Sequence, residues 1–151
     1  MPRLARRAVL ILALAVALPA AAADPALNLD AAGLALRGFD PVAYFRAGTP
    51  VRGRPDLAAS HDGATYRFAS AENRDAFLAA PARYLPQYGG FCAWAVAQGD
   101  KADGDPEVFR VVGDRLYLNY DRAIGRRWES DVPGNVAKAD ALWPKVQSKP
   151  R

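Results

Sequence analysis

The sequence predicts an α+β fold, two antiparallel β-hairpins packed with several short helices. Three observations predict it. Two apolar-rich runs flank Asp62-Gly63, and two more flank Gly113-Asp114; two-residue loops of this kind favour hairpins, because positive φ matches the twist of the strands. Each hairpin leads into a capping residue, Ser70 and Asp121, whose side-chain oxygen can accept an N–H of the first helical turn. The order hairpin, helices, hairpin, helices also lacks the strand–helix–strand alternation of a parallel sheet.

In chain order, residues 1–23 read as a signal peptide. Arg3, Arg6 and Arg7 precede an unbroken apolar run from Ala8 to Leu18, and Ala20 to Ala23 supply a small-residue cleavage site. The run is shorter than the roughly 20 residues needed to span a bilayer, so no membrane span is expected after cleavage. The protein is then periplasmic or secreted, beginning near Asp24. Arg6-Arg7 partly matches a twin-arginine signal, while the strongly apolar run fits the general secretory route, and both routes stay open.

Residues 24–37 read as an extended N-terminal segment, with Leu27 and Leu29, then Leu34 and Leu36, at alternating positions. An α+β domain over residues 38–146 and a polar tail over 147–151 complete the chain. Gly38 to Pro41 is a turn, since the residue before proline is pushed out of the helical region, and Val42 to Phe45 fits one helical turn. The first hairpin spans Leu57–Phe68. Its register sets His61 opposite Ala64, Ala59 opposite Tyr66 and Leu57 opposite Phe68, all on the inward face. A helix capped by Ser70 stops before Pro81, which starts a short helix bearing Tyr84. Residues 86–90 link to an apolar helix, Phe91–Gln98, ended by Gly99. Residues 100–107 read as a polar loop. The second hairpin pairs 108–112 with 115–118, with Phe109, Val111, Leu116 and Leu118 on its apolar face. Asp121 caps a helix carrying Ile124 and Trp128, and Pro133-Gly134 opens a last helix with Val136, Ala139 and Trp143 inward; Pro144 and the polar tail from Gln147 end the domain.

Composition narrows function. The three arginines of the signal carry most of the precursor's +4 charge, so the mature domain is close to neutral, at +1. No basic stripe suggests nucleic acid. Cys92 is the single cysteine, His61 the single histidine and Met1 the single methionine. A methionine-rich copper carrier and a multi-histidine centre within one chain are therefore excluded. Asp100, Asp103, Asp105 and Glu107 lack the spacing of a calcium loop and read as a solvated loop. The sequence contains no dinucleotide, phosphate-loop, CxxC, HExxH or nucleophile-elbow motif.

Five stretches make a recognisable pattern: Gly38-Phe39-Asp40-Pro41-Val42-Ala43-Tyr44-Phe45; Asp62 to Arg74 with Phe77; Pro81-Ala82-Arg83-Tyr84; Tyr88-Gly89-Gly90-Phe91-Cys92-Ala93-Trp94; and Leu116-Tyr117-Leu118-Asn119-Tyr120 with Trp128. From Gly38 to Pro144 the chain resembles the YHS domain family in its exported, single-domain branch. The resemblance implies a small α+β module of the kind found beside metal-transport and redox proteins. Some members carry metal-associated cysteines in Asp-Pro-Val-Cys and Tyr-x-Phe-Cys-Ser segments. Here those positions are Ala43 and Ala69, so the resemblance supplies no metal ligand at either.

Two readings of Cys92 and His61 stand side by side. In one, they meet in a pocket lined by Tyr44, Tyr66, Tyr88 and Trp94, and either ligate copper or another soft metal or act as a redox pair. In the other, Cys92 is a small buried hydrophobe, His61 a half-exposed hairpin residue and the aromatics core. Three functions follow: a binding module for a metal ion or small ligand near Cys92, a thiol-based redox or small-molecule enzyme using Cys92 with His61, and an interaction domain for an envelope protein.

Overall fold

A computed structural model describes residues 24–150. The signal-peptide reading of residues 1–23 lies outside the described residues. No helix among those described is long and apolar enough to cross a membrane.

The architecture is α+β, with two separate two-stranded antiparallel sheets. The first pairs β1 (Arg54–His61) with β2 (Ala64–Phe68), and the second pairs β3 (Asp105–Val112) with β4 (Arg115–Asn119). The helices are α1 (Ala43–Arg46), α2 (Ala71–Ala79), α3 (Pro81–Tyr84), α4 (Ala93–Ala97), α5 (Arg122–Glu129) and α6 (Val132–Val146). Ser70 and Asp121 cap α2 and α5, accepting from the N–H of Asn73 (3.1 Å) and Ile124 (2.8 Å).

The two hairpins are one local structure used twice. Both pair an eight-residue strand with a five-residue strand. Both carry the same bulge: Arg54 faces Phe68 while Ala58 faces Arg67, and Asp105 faces Asn119 while Phe109 faces Leu118. The match continues upstream. Leu34 bridges Thr65 and Phe39 bridges Arg52 in the first unit; Pro86 bridges Leu116 and Phe91 bridges Asp103 in the second. The N–H of Asp40 donates to Val51 (2.8 Å) as that of Cys92 donates to Ala102 (2.9 Å). A 3-10 turn with left-handed residues precedes each bridge, Leu36-Arg37-Gly38 and Tyr88-Gly89-Gly90. Gly53 and Gly104 occupy matching tight spots: a Cβ would collide with the Arg67 backbone at one and with the Gly90 carbonyl oxygen at the other.

Several expectations are corrected. Ala59 does face Tyr66 and His61 does face Ala64, but the bulge moves Leu57 away from Phe68, which pairs with Arg54 instead. The second bulge extends β3 back to Asp105, into the stretch read as loop; the interrupted pairing erases the alternation that would have marked a strand. Val111 is exposed rather than on an apolar face. Phe91 and Cys92 are drawn into extended bridges with Asp103 and Leu118, so α4 is shorter than the apolar run. The last helix runs through Pro144, although proline removes a helical hydrogen bond. Burial of Val146 in the core and a bond from the Gln147 N–H to Trp143 (2.9 Å) carry it onward.

Leu116, Tyr117, Leu118 and Asn119 are all buried, so β4 is covered on both faces. Tyr117 packs with Phe91, Val96 and Trp128 on one side, while Leu116 and Leu118 pack with Leu36, Phe39 and Tyr44 on the other. A third cluster, built on Tyr66, Phe68 and Phe77, fills the first unit. Lys101 joins the two ends of the described chain, its ammonium donating to the carbonyls of Pro25 (2.5 Å), Gln147 (2.7 Å) and Lys149 (2.6 Å).

Candidate functional site

The six residues singled out from sequence are divided among several surroundings rather than gathered in one pocket. His61, its side chain 29% exposed, lies edge-on to Phe77 at 5.8 Å and beside the Asp62 carboxylate at 3.3 Å. Tyr66 packs on the same Phe77 ring at 4.9 Å; burial, helped by the negative Asp62, pushes its phenol up to about 12. Tyr44 belongs to the cluster beside β4, where its hydroxyl donates to the Pro106 carbonyl (2.8 Å). Tyr88 donates to Asp140 (2.8 Å) and packs against Tyr117 and Trp143; burial and that bond push its phenol well above the usual range. Cys92 and Trp94 do meet. With Ala95, Ala102, Tyr120 and Ile124 they line an apolar depression of about 210 Å³.

Cys92 is 1% exposed and caps no N–H of α4 in the usual sense. Its thiol lies 3.6 Å from Asn119 Oδ1, which also accepts from the Trp94 N–H (3.1 Å). Burial pushes the thiol up, against the backbone N–H groups of Ala95, Tyr120 and Trp94, which favour the thiolate. Among the described residues, no three His, Cys, Asp or Glu side chains gather as a metal site.

The repeat explains that nest of N–H groups. Asp40 holds in the first unit the place that Cys92 holds in the second. It is fully buried. Its Oδ1 accepts from Val42 (2.8 Å) and Ala43 (3.3 Å), and its Oδ2 from Ala69 (2.8 Å) and the Asn73 amide (2.7 Å). Val42, Ala43 and Ala69 match Trp94, Ala95 and Tyr120. The same three N–H groups thus face a carboxylate in one unit and a sulfur in the other.

A different place has the form of a binding site. An open cleft of about 420 Å³ lies between residues 28–31 and the two units. Leu36 and Leu118 form its buried floor. Asp30, Arg37, Arg52 and Asp103 are exposed around it. None of these four belongs to an ion pair of the described residues. Arg52 is held in place, its guanidinium 4.4 Å from the Phe39 ring centroid and its Nη1 donating to the Arg37 carbonyl (3.3 Å). Arg37 and Leu36 adopt left-handed angles, φ 48° and 53°, at a cost of about 1–2 kcal/mol per residue relative to glycine. The asparagine and aspartate of residues 28–30 are fixed too: Asn28 donates to the Gly90 carbonyl (3.0 Å), and Asp30 Oδ1 accepts from Ala32 and Leu34 (both 2.9 Å).

Sequence reasoning did not single out Asp30, Arg37 or Arg52, and it read Asp103 only as part of a solvated loop. Isolated charges in loops look alike in sequence, and nothing in the Leu36-Arg37 pair signals a left-handed backbone. Comparison with family models, with curated proteins and with solved structures yields no match to this chain. The YHS resemblance therefore rests on its motifs.

Proposed function

We propose that the chain is an exported binding module for a small organic ligand, seated in the cleft between residues 28–31 and the two hairpin units, with Arg37 and Arg52 receiving an anionic group such as a carboxylate. The observation that carries this reading is the combination of a preformed cleft with an apolar floor and two arginines outside the ion pairs of the described residues. Cavities of about 300–1,000 Å³ with apolar walls and a few placed polar groups are the usual form of small-ligand sites, and guanidinium groups match the geometry of carboxylates. The signal-like residues 1–23 and the YHS-like motifs support an exported module of this size.

The reading places the ligand away from Cys92. A metal held by Cys92 and His61 would need both side chains at coordination distance, roughly 2.0–2.3 Å from one ion. The groups around Cys92 are instead Asn119 and three backbone N–H groups, and those around His61 are Phe77 and Asp62.

The test is a titration of isobutyrate into protein recovered from the periplasm after expression of the full chain, its N-terminus first read as Asp24. Backbone amide signals of Arg37, Gly90 and Gly104 are expected to shift, and Arg52→Gln to weaken binding by about ten-fold, the scale of a lost charged hydrogen bond. Equal binding by parent and variant would overturn the site; recovery only of unprocessed chain from the cytoplasm would overturn export.

A further inference from the structure

The cleft sits where the two repeated units meet. Leu36, Arg37 and Arg52 come from the first unit, and Gly90, Asp103, Gly104 and Leu118 from the second. Within that junction, Arg52 and Asp103 are matching positions. Arg52 bridges Phe39 and is followed by the constrained Gly53; Asp103 bridges Phe91 and is followed by the constrained Gly104. The same structural position thus carries a cation from one unit and an anion from the other, in one cavity, and the two are not paired with each other. Each is joined by a second group of its own sign, Arg37 with Arg52 and Asp30 with Asp103.

Opposite charges that line one cavity without neutralising each other are complementary to a ligand that carries both. A purely anionic ligand would face Asp30 and Asp103 unpaired, and like charges that meet on binding cost affinity. The floor of Leu36 and Leu118 suits a short apolar group beside the two charges.

Resting on the cleft as the binding site, we propose that its ligand is a small zwitterion of the α-amino acid class, with the carboxylate toward Arg37 and Arg52, the ammonium toward Asp30 and Asp103, and the side chain over Leu36 and Leu118.

Three small branched probes separate the contributions: L-valine, isobutyrate and isobutylamine, each titrated into the protein recovered as above and followed by calorimetry and by the amide signals of Gly90 and Gly104. L-valine is expected to bind at least about ten-fold more tightly than either single-charge probe. Asp103→Asn is expected to lower L-valine to the level of isobutyrate with thermal unfolding unchanged, and Arg52→Gln to lower it to the level of isobutylamine with the unfolding temperature reduced by no more than a few degrees, the scale of the lost Phe39 contact and the bond to Arg37. Isobutyrate binding as tightly as L-valine would overturn the zwitterion and leave the anion site standing. Isobutylamine binding as tightly as L-valine would overturn the zwitterion and, with it, the anion site at Arg37 and Arg52. No response to any of the three would overturn the cleft itself.

Discussion

Asp40 and Cys92 show how one backbone cradle serves two side chains. Three matching N–H groups surround each, and Asp40 gains a fourth bond from Asn73. Asn119 is placed to give the same help in the second unit, because rotating its amide would turn a donor toward residue 92. Cys92→Asp is therefore expected to fold and to cost less than about 2 kcal/mol, the carboxylate being paired on entry, whereas Ala93→Asp, one residue on and fully buried, should cost more than about 4 kcal/mol as an unpaired buried charge. Urea unfolding of the two variants checks this. Equal destabilisation would break the equivalence of Asp40 and Cys92.

Among the elements, the N-terminal segment makes its tightest approach to the rest of the fold at a glycine. Gly89 has φ +61°, and a Cβ there would meet the Ala26 carbonyl oxygen closer than any real contact. Its own carbonyl accepts from the Asn28 N–H (2.9 Å). The matching residue in the first unit, Arg37, keeps its side chain because the cleft lies beside it. Gly89→Ala combines left-handed strain with a clash, so it is expected to cost about 2–4 kcal/mol and to release residues 24–31. Hydrogen exchange should show the Asn28 amide losing protection while β4, covered on both faces, keeps its own. Continued protection of Asn28 would show that the segment docks without this glycine. Since residues 28–31 form one wall of the cleft, the same variant should also weaken ligand binding.

For the whole molecule, buried phenols and the thiol set its response to alkali. Tyr66 titrates near 12, raised by burial and then by Asp62, and burial also raises Tyr44, Tyr88 and Cys92. An unfolded tyrosine titrates at about 10. A raised folded pKa keeps the proton on the folded chain, so the stability it contributes is complete below the unfolded pKa and is lost as pH rises toward the folded one. Stability should hold to about pH 9 and fall steadily above it, Tyr66 alone accounting for a loss of about 2–3 kcal/mol by pH 12. Urea midpoints measured at rising pH check the slope, and Tyr66→Phe should flatten it. A midpoint unchanged from neutral pH to about 11 would contradict the burial of these groups.

The sequence by itself determined the elements that depend on local chemistry. Asp62-Gly63 and Gly113-Asp114 specify tight turns, Ser70 and Asp121 specify caps, and alternation along β2 marks Ala64, Tyr66 and Phe68 as core. Single Cys and His residues also bound what chemistry one chain can hold. Only the tertiary structure decided what rests on distant partners. Both bulges arise from how each outer strand meets its partner, so β3 reaches Asp105 and Leu57 loses Phe68. Burial of Val146 carries a helix past Pro144. The doubled unit was hidden because its two copies keep backbone geometry while exchanging side chains, Asp40 for Cys92 and Arg52 for Asp103. The cleft was hidden for the same reason: its charged residues lie far apart in the chain, and only packing one unit against the other brings them around a common floor.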